Sequence, residues 1–238
     1  MKKLLYTCLL ATTCLFSSCD SLKNIASNFL SEADAANAIR EALLNGVQNG
    51  SASLSQKGSF SRDVLLAAIL PKNLQNVVKT LEQLGLTSQL DHFANSLDNA
   101  ATATVTKSAP IFAYGIKNIT ITDAIGIVKN GGTSATDYLR NKVGDSLRTA
   151  VRPVMRNALE EYKIASEWDK MVAPVKLVLG NKANLNLGLD NILAIVVTNQ
   201  MFKKIEDQEI NIRTNASART STTLQRVFGK DWNANTAK

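Results

Sequence analysis

The stretch Leu189-Asp190-Asn191-Ile192-Leu193-Ala194-Ile195-Val196-Val197-Thr198-Asn199-Gln200-Met201 decides the fold class, because here a strand competes most strongly with a helix. Its β-branched run Ile195-Val196-Val197 has strand propensity. A buried strand needs partners to satisfy its backbone, and no partner strands are evident elsewhere in the chain. The stretch therefore reads as a central buried helix. Its apolar run is also too short to cross a bilayer, which takes roughly 20 residues. Composition agrees with a helical class. Hydrophobic residues make up 45% of the chain, enough for a real core, while aromatics are only 5%. Small and aliphatic side chains of this kind suit helix packing better than a β-sandwich.

Working outward, the rest of the chain repeats helical signals. Ser31-Glu32-Ala33-Asp34 resembles a capping box with Asp in place of Glu, and Ala35, Ile39, Leu43 and Val47 follow at every fourth position before Gly50. Gly50 to Ser61 reads as a Ser/Gly loop, and Val64 to Leu70 as an apolar run ended by Pro71. Leu74, Val77, Val78, Leu81 and Leu84 form the cleanest buried stripe, with Gly85 placed to end it in a left-handed conformation. Thr87 is the expected cap of a helix carrying Leu90, Phe93, Ala94, Leu97 and Ala101, which Pro110 should separate from Ile111 to Ile119. Thr120 with Asp123, and Ser134 with Asp137, read as further caps around a Gly131-Gly132 terminator. Leu139, Val143, Leu147 and Val151 carry the next stripe to Pro153, where a new helix is expected. Helical patterns over Pro153–Tyr162 and Ser166–Leu179, broken near Pro174, precede an Asn-rich loop at Gly180 to Gly188, and a last patterned segment runs from Asn211 to Gly229. No repeat of 20–50 residues is visible, which argues against a solenoid. The expected architecture is all-α: a single irregular multi-helix bundle domain over residues 31–229, with 230–238 as a frayed C-terminal tail.

The other end of the chain reads as an export signal. Met1-Lys2-Lys3 is a basic start, Leu4 to Phe16 is apolar apart from Thr and Cys, and the run ends in Ser17-Ser18-Cys19. That ending resembles the lipobox of bacterial lipoproteins, with Phe16 where Leu is usual. By this resemblance residues 1–18 are a signal peptide, Cys19 takes the lipid and becomes the mature N-terminus, and 19–30 form a lipidated tether. Cleavage by an ordinary signal peptidase is the alternative, and Cys14 is a second lipid acceptor to weigh. Cysteine usage fits the first reading. The three cysteines are Cys8, Cys14 and Cys19, so removal of the signal leaves one and no intrachain disulfide. The expected partner is a membrane, reached through the lipid anchor, with the protein in the cell envelope and facing the periplasm. Two acyl chains exceed the reversible hold of one, since each buried methylene contributes about 0.8 kcal/mol.

Charge and side-chain inventory exclude several functions. The whole chain carries a formal +7, of which Lys2 and Lys3 belong to the signal, and no dense Lys/Arg block remains. Nucleic-acid binding therefore has little support. With His92 the single histidine and no cysteine after Cys19, a zinc site is not expected, and no cofactor loop of the Walker or GxGxxG type appears. His92 reads as a structural histidine or a lone general base. Arg148, Arg152 and Arg156 recur every four residues, so one helical face would present three guanidinium groups to a phosphate or a carboxylated polymer. A solvated face paired at its ends with Asp145 and Glu160 is the alternative reading. Asp137 and Tyr138, beside Arg140, are the nearest approach to an acid/base group, with Asp137 otherwise a first-turn carboxylate on the helix dipole. The helix start after Gly131-Gly132 could hold a phosphate on its free N–H groups, or simply be capped by Thr133 or Ser134.

Gly131-Gly132-Thr133-Ser134-Ala135-Thr136-Asp137-Tyr138-Leu139-Arg140, together with Asn215-Ala216-Ser217-Ala218-Arg219-Thr220 leading to Val227-Phe228-Gly229, resembles the DUF4197 family of exported bacterial proteins. The resemblance implies one helical unit and supplies no catalytic or binding residues. Two functions are expected in competition. One is a tethered, non-enzymatic envelope protein binding an envelope protein or an apolar ligand. The other is an envelope hydrolase using buried carboxylates such as Asp137.

Overall fold

A computed structural model describes residues 29–69, 75–173 and 188–234. Cys19, the signal, Pro71, Leu74, Pro174 and most of the Asn-rich loop lie outside these residues. The elements in order are α1 (Glu32–Leu54), α2 (Arg62–Ile69), α3 (Gln75–Gln83), α4 (Thr87–Asn118), α5 (Ala124–Asn130), α6 (Ser134–Glu161), α7 (Ile164–Val172), α8 (Leu189–Thr214), a 3-10 turn (Ala216–Ala218) and α9 (Thr222–Phe228). The described residues contain no strand, so the bundle is all-α as expected.

Helix α8 resolves the contested stretch. Leu193, Ala194, Val197, Met201, Phe202 and Ile205 are all buried within it. It packs against α1 and α6, with further contacts to α2 and α4. Tertiary burial on several sides outweighs the β-propensity of Ile195-Val196-Val197, because each fully buried large apolar side chain contributes about 1.5–3 kcal/mol. Phe202 meets Phe112 of α4 edge-on, with ring centroids 5.6 Å apart. Trp168 of α7 closes the other part of the core against Phe93 at 5.3 Å.

The contact of α1 with α8 depends on small residues. Ala38, Ala42, Gly46 and Gly50 follow one another every four positions and are all buried. A Cβ on Gly46 would stand 2.8 Å from the Ile205 Cα, and one on Gly50 would stand 2.7 Å from the Lys204 Cβ. Gly50 therefore serves a close helix approach and does not end α1. The helix continues to Leu54, and the loop is shortened to residues 55–61. That loop is tied down from α4: the buried Asp98 carboxylate accepts the Gly58 and Phe60 amides at 2.6 and 3.0 Å.

Neither proline divides its helix. α4 runs through Pro110 and α6 through Pro153. Both prolines are exposed, so the carbonyl that each leaves unpaired faces water while Phe112 and Val151 anchor the buried side. The Arg148/Arg152/Arg156 stripe is consequently continuous. Several caps shift as well. Ser31 caps α1 as expected, accepting the Asp34 amide at 3.1 Å. α4 starts after Leu86 without a side-chain cap, α5 is capped by Asp123 and not Thr120, and α6 starts after Thr133. Gly85 has the anticipated positive φ, +77°. Within the described part of the tail, residues 230–234, the half-buried Trp232 indole donates to the Val227 carbonyl at 2.7 Å and Asn233 donates to the Lys129 carbonyl at 3.1 Å.

Candidate functional site

The start of α6 is organised from 73 residues away. Glu209 of α8 is 1% exposed, and its carboxylate accepts the Ala135 amide at 3.0 Å, the Thr136 amide at 2.7 Å and the Thr136 hydroxyl at 2.6 Å. A carboxylate suits this place because the first amides of a helix lack partners and carry the positive end of its dipole. The internal anion thus fills the position that a phosphate could have taken, and neither Thr133 nor Ser134 caps it. Thr133 instead donates its hydroxyl to Asp137 at 2.8 Å.

Arg213, one turn after Glu209, completes the joint. Its Nε donates to Glu209 at 3.0 Å, and its two terminal nitrogens reach the Val128 and Ile127 carbonyls at 3.0 and 3.1 Å. Both carbonyls lie in the last turn of α5, so one ion pair joins the end of α5 to the start of α6. The guanidinium also lies 4.9 Å from the centre of the Phe228 ring, a cation–π arrangement. Arg219 holds the Ile212 and Arg213 carbonyls at 2.8 Å each, closing the end of α8. The segments 131–140, 215–220 and 227–229 therefore meet at this joint.

Beside the joint lies a surface depression of about 190 Å³. Lys129, Gly131, Gly132, Arg213, Phe228, Lys230, Asp231 and Trp232 are among its lining residues. Gly131 and Gly132 have φ of +69° and +55°, and no atom stands within 4 Å of where their Cβ atoms would be. Glycine relieves the backbone there and leaves the floor open. Lys230 stacks over the Trp232 ring at 4.8 Å.

The residues anticipated from sequence separate into two places. Asp137 and Tyr138 lie near the joint. Asp137 is half-exposed at its side chain, with Arg140 3.6 Å away. The Tyr138 hydroxyl donates to the Thr120 carbonyl at 2.8 Å and accepts the Thr122 amide at 3.2 Å, clamping the turn before α5. Burial pushes the Tyr138 phenol up, but the Thr122 hydroxyl and amide and the Lys142 ammonium outweigh it and leave the phenol below its usual value.

The arginine stripe lies elsewhere, over the start of α8. Arg152 and Arg156 converge on Asp190 at 2.9 and 2.7 Å, while Arg148 pairs with the exposed Asp145 at 2.7 Å. The Arg152 hydrogen bond is the main cause that holds the Asp190 carboxyl down at about 2. Burial opposes it, and Arg156 and the Asn191 amide assist. Two of the three arginines are thus already engaged by one buried acid, which offsets one of their two charges. His92 is largely exposed and sits 3.4 Å from Glu167 on the rim of a second depression of about 310 Å³. Among the described residues no group of three or more His, Cys, Asp and Glu could hold a metal ion.

Sequence reasoning missed Glu209 and Arg213, because a Glu and an Arg four residues apart near a helix end look like an ordinary surface pair. It also assigned no role to Asp98. Comparison with curated proteins and with solved structures gives no match. Residues 29–229 do match one family, described as "Protein of unknown function (DUF4197)", and they include every segment that meets at the Glu209–Arg213 joint. The chain belongs to the DUF4197 family.

Proposed function

We propose that this chain is a lipid-anchored protein of the bacterial envelope, held by acylated Cys19 and facing the periplasm, and that its helical domain works by binding and not by catalysis. The observation that carries the second part is the fate of the buried carboxylates. Asp98, Asp190 and Glu209 are the buried acids among the described residues. Asp98 is committed to loop amides, Asp190 to two arginines, and Glu209 to a helix start and Arg213. A general acid or base needs a poised group within reach of substrate, and these groups have structural partners instead. The hydrolase reading gains no comparable support, since Asp137 is half-exposed and bonded to Thr133.

The first part rests on Leu15-Phe16-Ser17-Ser18-Cys19 and on the absence of any later cysteine. Metabolic labelling with an alkyne fatty acid tests it. The native chain should take up the label and fractionate with membranes, and Cys19→Ser should do neither. Continued labelling of Cys19→Ser would overturn the assignment. For the binding function, native mass spectrometry of the gently extracted protein should show a retained lipid or partner. A protein that carries none, and gains none when lipids are supplied, would count against it.

A further inference from the structure

We infer that the groove between the second half of α1 and the C-terminal half of α8 binds a neutral carbohydrate. The inference rests on the binding reading of the domain, which it deepens, and it is independent of the lipid anchor. The groove holds about 310 Å³ at the surface, the lower end of the size range of small-molecule sites. Asn49 and Ser53, four positions apart on one face of α1, form one wall. Lys204, Gln208 and Asn211 of α8, again at helical spacing, form the other, with Asp207 beside them. Gly50 lies between the walls. A Cβ there would stand 2.7 Å from the Lys204 Cβ, so glycine lets the two helices approach until both sets of side chains can reach one ligand.

Helix stability does not account for these residues. From Ala42 to Gln56 the chain carries no charge, although a solvated helix face is ordinarily charged. Asparagine and serine are poorer helix formers than alanine, lysine or glutamate, because their short polar side chains compete for backbone groups. The close approach to α8 explains Gly46 and Gly50, whereas Asn49 and Ser53 are exposed. Among the described residues the side chains of Asn49, Ser53, Gln208 and Asn211 form no hydrogen bond, so their donors and acceptors are available. A local rule broken without a structural return is expected where a site is built.

The lining selects the class of ligand. None of the lining residues has a purely apolar side chain, so an acyl chain finds nothing to pack against. Around the groove Lys203 and Lys204 are balanced by Glu206 and Asp207, and neither an anion nor a cation gains net attraction. Asn and Gln amides both donate and accept, as a sugar hydroxyl does. An uncharged, polyhydroxylated ligand therefore matches this surface. Each hydrogen bond strengthens binding about fivefold, so four of them correspond to a dissociation constant of about 2 mM.

Saturation-transfer NMR tests this on protein expressed from the full-length chain and purified in a detergent without a sugar headgroup. Chitotriose and maltotriose are the neutral probes, trigalacturonate is the charged one, and acetyl-trialanine amide is the peptide control. At least one neutral trisaccharide should receive saturation and titrate with a dissociation constant of about 2 mM, and trigalacturonate should bind at least about fivefold more weakly. Asn49→Ala and Gln208→Ala should each weaken that binding about fivefold while Tm holds or rises, because alanine is the better helix former. No transfer to either neutral trisaccharide, or binding that neither variant weakens, would overturn the inference. Equal binding of trigalacturonate would overturn the neutral character of the ligand, and transfer to the peptide in place of the sugars would reassign the groove. A lipid or partner retained in the native mass spectrum of a protein that binds no saccharide would remove this site and leave the binding function standing.

Discussion

Replacing Glu209 with alanine tests the joint on which the bundle's organisation depends. The substitution removes the acceptor for the Ala135 and Thr136 amides and leaves the Arg213 guanidinium buried without its counter-charge. Breaking a buried ion pair from one side costs about 3–5 kcal/mol, and that figure already includes part of the penalty for the orphaned amides. A loss of about 4 kcal/mol in a domain of roughly 200 residues lowers Tm by about 8–16 °C. Urea unfolding followed by circular dichroism gives the free energy, and scanning calorimetry gives Tm. Glu209→Gln keeps an oxygen for the helix start but loses the charge, so it should fall between wild type and alanine. Arg213→Met in the alanine background removes the uncompensated cation, and the double variant should be more stable than the sum of the single losses by at least about 1 kcal/mol. Hydrogen exchange at Ala135 and Thr136 should accelerate in the alanine variant. A loss below about 1 kcal/mol, or strict additivity of the two substitutions, would refute the reasoning.

Gly46→Val places a branched side chain 2.8 Å from the Ile205 Cα and should cost about 2–3 kcal/mol, read from the urea midpoint. Asp190 has its folded-state carboxyl lowered from 3.8 to about 2, so its contribution is complete above pH 4 and is lost as pH falls towards 2. The full shift would correspond to about 2.4 kcal/mol, and half-exposed arginine partners reduce it to about 1 kcal/mol. Asp190→Asn should flatten the dependence of the urea midpoint on pH between 4 and 2, and an unchanged slope would remove the assignment. Arg148→Ala breaks only an exposed pair with Asp145 and should change stability by less than about 0.5 kcal/mol in the same assay.

Residue periodicity made the buried faces of α1, α4 and α6 legible, because apolar spacing is a local signal that packing then rewards. Ala35, Ile39, Leu43 and Val47, and likewise Leu90, Phe93 and Leu97, are in the core where their spacing puts them. Helix ends were harder to read. Gly50, Pro110 and Pro153 have the local character of breakers, yet a close helix crossing uses the first and solvent accommodates the other two. The joint was not legible at all. Glu209 finds Ala135 across 74 positions, and nothing in either neighbourhood marks the pair. The arginine stripe showed the opposite limit: its spacing was visible, but the buried acid that occupies it came from the segment read only for its apolar residues.

The near contact of Gly46 with Ile205 also governs the order of events in folding. The two positions lie about 160 residues apart, so the α1–α8 interface cannot form until nearly the whole chain is present. During synthesis the chain emerges from its N-terminal side, and α1 waits with its alanine and glycine stripe bare while the intervening helices assemble on their own local contacts. A chaperone that delays collapse would act in that interval, and a truncation before α8 would leave an N-terminal helix with no surface to close on.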